Sequence, residues 1–491
     1  MVGIELRLQV PVEHSAAVHR ALATVTAKTG RLRAQYFDTP DRRLAAVGLV
    51  LRLQQADGQW VQRLEGRADG QLPRLEHDVP VGVRRSAAEL DIARHAGTPI
   101  GEALTAALGN TAQPLQVVFE TDVRRTCRVL RSAGAGVEVA LDVGQIRAGN
   151  ARVRACELQF KHRSGPIAGM VALVTRWMDR HFLWLDVRSM AERGDRLARG
   201  IEAGPPVQAR GPELNGDMHT DAALRAIIRA CIGQVLPNAA ELAADVGGPD
   251  HLHQTRVGLR RLRSALRVFG DWSVAVDRAW SPALAELFAR LGAARDRDVI
   301  TTTLLPELRA AGAPYAELPP PHPTSHDAGE ALRSPQWGKL LLDLIAFAHG
   351  AAPPSESSLD AQQAPLIALV RPRLKRMHRQ LSKDVVVFRS LDDAMRHRTR
   401  KRLKRLRYCV ELVASLYGAK AVRRYLVRSR AAQDVLGRIN DLSVAEAAFR
   451  KQLEKDARAW FALGYLAARR AQLLKDTVRA LLSLIKAPRF W

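Results

Sequence analysis

Cysteine is scarce in this chain. Four occur in 491 residues, Cys127, Cys156, Cys231 and Cys409, with no paired spacing. That excludes a disulfide framework and a thiolate zinc site. No run approaches the ~18 uninterrupted apolar residues of a membrane-spanning helix. The N-terminus reads straight into a strand, Ile4 to Val10, without a signal-peptide pattern, so a cytoplasmic location is expected. Aromatic residues make up only 5%. Single-strand nucleic-acid binders supply stacking platforms among their cations, and the basic stretches here contain none. Acid is also short: 75 Lys+Arg stand against 50 Asp+Glu, a net charge of +25. The natural partners of such a chain are polyanions. Arginine outnumbers lysine, and its forked guanidinium suits bidentate phosphate contacts.

What is abundant is also ordered. A helix advances about 100° per residue, so His253, Arg256, Arg260, Arg263 and Arg267 share one helical stripe. The pattern returns 144 residues later as His397, Arg400, Lys404 and Arg407. Leucines and valines between them form the opposite, packing face. No acid lies between Arg256 and Arg267, or between Arg396 and Arg407. Like charges at i,i+4 repel by roughly a few tenths of a kcal/mol, a cost that a merely solvated face need not keep. Two such stripes form a surface for a long, densely charged anion. His251 and His253 do not share a helix face, which argues against a metal pair. Asp250 is the expected N-cap of the first basic helix.

The segment Leu291 to Asp296 aligns with Leu436 to Asp441, and Val299 with Val444. The repeat is therefore a whole supersecondary unit, which indicates a duplicated helical bundle. The two basic helices, the Arg295-Asp296-Arg297-Asp298 segment and the Gln433-Asp434-Val435-Leu436-Gly437 segment resemble the CHAD, or conserved-histidine α-helical, domain over about residues 217–488. The resemblance implies an all-α, pseudo-two-fold bundle whose basic inner surface binds inorganic polyphosphate and needs no cofactor. Charge is concentrated here: residues 217–491 hold 45 Lys+Arg and 27 Asp+Glu, a net of +18, against +7 for residues 1–216.

The first 200 residues read differently. Short alternating strands are expected at 4–10, 49–54, 59–65, 75–81, 137–141 and 154–160, and helical periodicity at 12–30 and 167–182. Glu5 and Arg7 share a strand face, as do Glu76 and Asp78. A sheet that turns charge inward lines a polar tunnel, because buried unpaired charge is costly. The Pro- and Gly-rich stretch from Gly204 to Pro212 reads as a linker. The expected domains are 1–203, a linker at 204–216, and 217–491 with repeats at about 217–350 and 360–488. Two Pro-rich loops, Leu318 to Pro323 and Ala352 to Ser355, interrupt the helical half, the second between the repeats.

The order of segments resembles the CYTH superfamily of triphosphate tunnel enzymes: Tyr36-Phe37-Asp38-Thr39-Pro40, Leu51-Arg52-Leu53, Ala140-Leu141-Asp142, Cys156-Glu157-Leu158-Gln159 and Ala191-Glu192-Arg193-Gly194. The resemblance implies an eight-stranded antiparallel tunnel in which basic residues hold triphosphate and carboxylates hold Mg²⁺ or Mn²⁺. Arg7, Arg52 and Arg63 are then the phosphate-binding candidates, and Glu5, Glu76, Asp142 and Glu157 the metal candidates. The chain departs from the family pattern in several places. Gly3, Glu5 and Arg7 stand where the family has E-x-E-x-K. Gln54 replaces an arginine, Glu65 and Met190 replace lysines, and Gln159 replaces a glutamate. Losing two lysines and gaining Glu65 strips the electrostatic clamp on which phosphoryl transfer relies. Arg63 and Glu65 share a face and are expected to pair and plug the tunnel.

The expected function is polyphosphate binding by the helical half, with a degenerate tunnel module of weak or no triphosphatase activity. The alternatives are a Mg²⁺- or Mn²⁺-dependent triphosphatase, and attachment to storage granules or nucleic acid through the same basic faces. Nucleic acid is the less favoured partner.

Overall fold

The computed structural model describes residues 4–67, 74–83, 89–109, 114–292, 304–314, 325–350, 365–454 and 456–491. Gly3, Arg295 to Val299, and both Pro-rich loops lie outside these residues. The chain divides into two compact units. One comprises Met1–Val207 with Leu236–Gly247 and Leu332–Gly350, the other Gln208–Val235, Gly248–Ala331 and Ala351–Trp491.

The first unit is built on an antiparallel sheet with nine strands among the described residues: β1 (Glu5–Gln9), β2 (Lys28–Asp38), β3 (Leu49–Ala56), β4 (Gln59–Arg67), β5 (Arg74–Val83), β6 (Gln116–Ser132), β7 (Ala135–Ala148), β8 (Ala151–Ser164) and β9 (Trp184–Leu185). Their order is β5-β4-β3-β2-β6-β7-β8-β1-β9. Tight hairpins set the register. Asp57 and Gly58 join β3 to β4, and Ala133 and Gly134 join β6 to β7, with φ of 49°, 80°, 44° and 77°. Two successive positive φ values are what a type I′ turn requires, and its twist matches that of the strands.

Period-two alternation divides the sheet into an apolar and a charged face. Leu6 and Leu8 are buried on one side of β1, with Glu5, Arg7 and Gln9 on the other. The sheet curls far enough for Lys161 of β8 to reach Glu76 of β5, Nζ to Oε2 at 3.3 Å. Short helices decorate it: α1 (Ser15–Leu22), α2 (Arg43–Ala46), α3 (Pro99–Leu108), α4 (Ile167–His181) and α5 (Met190–Arg199). Helix α4 covers β6–β8, with the rings of Phe160 and Trp177 6.2 Å apart.

The helical periodicity at 12–30 is not realised in full. Helix α1 ends at Leu22, and β2 begins at Lys28. Strand β2 pairs with both β3 and β6, and this cross-strand bonding outweighs the local pattern.

Helices follow to the C-terminus: α6 (Thr220–Ala243), α7 (Pro249–Phe269), α8 (Trp280–Arg290), α9 (Leu305–Ala310), α10 (Ser325–Arg333), α11 (Pro335–His349), α12 (Leu366–Val386), α13 (Asp393–Leu412), α14 (Ala419–Leu453) and α15 (Ala459–Ile485). By the contact division, α11 belongs to the first unit and packs on α4 there. The architecture is thus an antiparallel sheet domain followed by an all-α region. The duplication is visible in its elements. Helix α7 ends in the 3₁₀ turn Gly270–Trp272 and α13 precedes the 3₁₀ turn Ala414–Leu416, again 144 residues on. The N-cap of α7 is Gly248, not Asp250, and the Nδ1 of His251 accepts from the Gly248 N–H at 3.1 Å.

Candidate functional site

The charged face of the sheet gathers every residue proposed for the tunnel, but gathers them in pairs. Antiparallel register places Arg52 opposite Arg63, Arg63 opposite Asp78, Glu65 opposite Glu76, Arg125 opposite Asp142, Asp142 opposite Glu157 and Arg7 opposite Gln159. Arg7 lies 2.7 Å from Glu5. Arg52 donates to Glu65 at 2.5 Å and to the Tyr36 hydroxyl at 2.9 Å. Arg63 reaches Glu65 only at 3.8 Å, and its close bidentate partner is Asp78. The expected Arg63–Glu65 plug is therefore corrected to Arg52–Glu65 and Arg63–Asp78: the neighbouring strands offer each residue a better-aligned partner than its own strand does.

Arg125 holds the fully buried Asp142 through two bonds of 2.7 and 2.5 Å. Arg193 holds the buried Glu157, to which Gln159 also donates at 2.6 Å. Burial opposes the charge on Arg7, yet Glu5, Glu157, Glu65 and Glu192 together hold its pKa above the ordinary guanidinium value. Arg52 is likewise raised against burial, chiefly by Glu65, and Arg125 by its hydrogen bonds to Asp142.

This arrangement fits a metal poorly. Glu5, Glu76, Asp142 and Glu157 each face a cation already, and among the described residues no group of three His, Cys, Asp or Glu side chains converges. A divalent ion needs hard anionic oxygens, so it would have to displace at least two of these cations. A cavity of about 270 Å³ opens beside the ladder. Its carboxylates Asp38, Glu65, Glu192 and Asp195 outnumber its guanidiniums Arg196 and Arg199, which disfavours a triphosphate.

The motif residues have local jobs. Asp38 accepts from the N–H groups of Thr39, Leu44 and Ala45 at 2.7, 2.9 and 3.0 Å, anchoring α2. Ser189 and Glu192 form a capping box on α5. Gly194 sits so close to Phe119 that a Cβ would lie 2.2 Å from its ring. Met190 is buried in the apolar cluster with Tyr36 and Phe119. Sequence reasoning missed Arg125, Lys161 and Arg193 as tunnel cations. The first two are recoverable from strand parity once β6 and β8 are recognised at full length.

The helical unit also gathers cations, where its two basic helices meet. Helix α7 packs against α13. Arg260 of the first stripe lies close enough to act on Lys404 of the second, and Arg263 and Arg267 act on Arg405. In the first copy, Arg256, Arg260 and Arg263 converge over the ring of Phe288, at 4.5, 5.6 and 5.7 Å from its centroid. This aromatic came from outside the stripe, on α8, and the sequence pattern did not reveal it. In the second copy, His397 donates from Nδ1 to Asn440 Oδ1 at 2.9 Å. His397, Arg400 and Asn440 line a cavity of about 280 Å³ with Asp393, Arg396 and Ser443. Arg407 is drawn aside by Glu411 and Gln433, both at 2.8 Å. His253 is half-buried and Arg267 exposed.

Burial, then Arg260 and Arg400, lower the Lys404 pKa to about 6. Burial also lowers the pKa of Arg405, helped by Arg267, and of Arg263, again with Arg267. A groove that holds its cations below their ordinary proton affinity gains most when an anion enters.

Comparison with known proteins bears on both units. Residues 226–450 match the family model of the CHAD domain, and residues 1–165 that of the CYTH domain. An inorganic triphosphatase of Haemophilus influenzae is 26% identical over 204 residues, which are 39% of this chain and 53% of that protein. The chain therefore spans about half the length of this curated relative. The crystal structure of a CHAD domain from Ricinus communis is 30% identical, with a TM-score of 0.47, over 59% of this chain and 100% of that one. A Hippeastrum protein with a dominant triphosphatase activity is 16% identical, with a TM-score of 0.28, over 40% and 96%.

Proposed function

Because the chain is a CYTH domain followed by a CHAD domain, we propose that it binds inorganic polyphosphate through the paired basic stripes of its helical half. The observation that carries this reading is the meeting of like charges where α7 packs on α13. Arg260 lies near enough to lower the proton affinity of Lys404, and Arg263 and Arg267 that of Arg405. Such a groove is unfavourable alone and is relieved by a ligand that brings about one negative charge per phosphate. The sheet domain is then an auxiliary module whose former phosphate clamp is neutralised by Glu65 and its neighbours. A cytoplasmic site of action, with attachment to polyphosphate granules, follows from the same reading.

A second reading is that the sheet domain is a metal-dependent triphosphatase. The named activity of the Haemophilus influenzae relative favours it, and the comparisons lend it more support than they lend polyphosphate binding. The ion-paired tunnel and its acid-rich cavity count against it.

One pair of assays separates the two. The intact chain is titrated with long-chain polyphosphate, with duplex DNA as competitor, and phosphate release from tripolyphosphate is followed with Mg²⁺ and Mn²⁺. The binding reading expects tight polyphosphate binding that DNA displaces poorly, and release far below 1 per second. Turnover on the order of 1–10³ per second would transfer the conclusion to the triphosphatase. Equal competition by DNA would assign the groove to polyanions in general.

A further inference from the structure

The sheet pairs its charges on the tunnel side and crowds them on the other. Where α1 and α4 pack, that other side is apolar: Val139 and Leu141 of β7 and Leu158 and Phe160 of β8 are buried. Farther along the same strands, the same parity carries Gln145 and Arg147, and Arg154 and Arg152. Register extends the pattern across four strands. Arg33 stands opposite Asp122, Asp122 opposite Gln145 and Gln145 opposite Arg154. One row away Glu120 stands opposite Arg147 and Arg147 opposite Arg152; on the other side Arg31 stands opposite Arg124. Six arginines and two carboxylates thus share one patch, a net charge of +4.

The patch does not neutralise itself. Like charges directly opposed across strands destabilise a sheet, and Arg31 with Arg124 and Arg147 with Arg152 are such pairs. Asp122 serves three guanidiniums at once: Arg31 through bonds of 2.8 and 2.6 Å, Arg33 at 3.7 Å and Arg147 at 3.8 Å. Glu120 accepts from Gln35 at 2.9 Å and reaches Arg147 only at 3.9 Å. The Nε of Arg147 is buried without a hydrogen-bond partner among the described residues. Arg124, Arg152 and Arg154 are exposed and meet no carboxylate at ion-pair distance among the described residues.

We propose that this outer patch docks double-stranded DNA through its phosphates. The arginines do not form a line. Arg31, Arg33 and Arg124 occupy one corner, and Arg147, Arg152 and Arg154 the diagonally opposite one. Glu120, Asp122 and Gln145 hold the strip between them. With strands about 4.8 Å apart and a rise of about 3.3 Å per residue, the two triplets are centred roughly 14 Å apart. The major groove of B-DNA is about 12 Å wide. Each triplet then meets one of the two phosphate rows, and the acidic strip lies over the groove, where no phosphate stands. A single phosphate chain engages one triplet, or else crosses Asp122 and Glu120. None of these positions is aromatic, so the patch offers no platform for unpaired bases. An open depression of about 650 Å³, lined by Arg31, Asp122, Arg124 and Gln145 among others, leaves room for a phosphate beside the first triplet. Phosphate contacts carry no sequence information. The inference stands on the sheet domain and does not depend on the polyphosphate reading.

The test is fluorescence anisotropy of a labelled duplex of about two helical turns, titrated with the intact chain. Salt is varied between about 50 and 200 mM. Arg124→Glu with Arg154→Glu reverses one exposed cation in each triplet. Binding should weaken at least about tenfold, and the slope of log affinity against log salt should flatten by about 2. Arg124→Gln with Arg154→Gln should act in the same direction by about threefold or more, which keeps the test decisive if charge reversal disturbs the strands. Arg256→Glu with Arg400→Glu, in the helical unit, should change duplex binding by no more than about threefold. Single-stranded DNA of the same length offers one row of phosphates and should bind at least about fivefold more weakly. Sheet variants that bind the duplex as tightly as wild type overturn the proposal. So do equal affinities for single and double strands, loss of duplex binding in the helical variant instead, or failure of wild type to bind the duplex at about 50 mM salt.

Discussion

The sheet domain and the helical domain both gather arginine, but the charged face of the sheet pairs it with carboxylates whereas the groove between two helices sets it beside further cations. In the sheet, Arg7, Arg52, Arg63, Arg125 and Arg193 each meet a carboxylate from the same or a neighbouring element. In the groove between α7 and α13, Arg260 meets Lys404, and Arg263 and Arg267 meet Arg405. A buried pair is satisfied, so it has little to gain from an incoming anion and much to lose from disruption. A cluster of like charges is held in place by the apolar faces of its helices, and an anion improves it. Arginine content alone therefore does not locate a binding site. What matters is whether the fold has already supplied the counter-charge.

The contrast can be broken most forcefully in the sheet. Asp142→Ala leaves the half-buried Arg125 without its carboxylate and should cost about 1–3 kcal/mol, read as a lower urea midpoint. A change below about 1 kcal/mol would mean that the ladder does not hold the tunnel together. The same operation in the groove should have the opposite sign. Lys404→Met removes one of the crowded cations and should raise Tm by at least about 2 °C near pH 6.

The pH dependence follows from the lowered pKa of Lys404. The unfolded chain binds this proton up to about pH 10.4, whereas the folded protein releases it near 6. Over that window the unfolded state holds more protons, so this group makes stability rise with pH. The advantage of Lys404→Met should accordingly fade between pH 6 and about 10, as calorimetry at several pH values would register. The smallest expected effect sharpens the comparison within the groove. Phe288→Ala frees three guanidiniums from their ring and should weaken polyphosphate binding about two- to fivefold, since each exposed cation–π contact contributes about 0.5–1 kcal/mol.

Much of this contrast was legible in the sequence, for physical reasons that differ by region. A helical stripe is a local property: spacing alone places Arg256, Arg260 and Arg263 on one face, and the acid-free intervals are read directly. That α7 would pack on α13 followed from the duplication, not from either helix by itself. Phe288 was invisible because it approaches from α8 through tertiary packing. In the sheet, strand parity put Glu5 with Arg7 and Glu76 with Asp78. Pairing partners depend on register, which is set by turns and by strands such as β2 and β6 that local periodicity did not reveal. Hence Glu65 was matched with Arg63 on its own strand when its closer partner is Arg52 on the next. Substitutions such as Glu65 and Gln159 were readable as departures from a pattern, but their consequence, a self-neutralised ladder, required Arg125 and Arg193 to be placed.

The most direct test of the central claim is to damage each region separately and measure polyphosphate affinity on the intact chain. Arg256→Glu with Arg400→Glu reverses one cation in each stripe. Arg52→Gln with Glu65→Gln removes one tunnel pair as a unit, so no charge is stranded. Charge-assisted contacts contribute about 1.5–3 kcal/mol each, so the groove variant should bind at least tenfold more weakly, while the tunnel variant stays within about twofold of wild type. A groove variant that binds as tightly as wild type, or a tunnel variant that loses binding instead, would contradict the account.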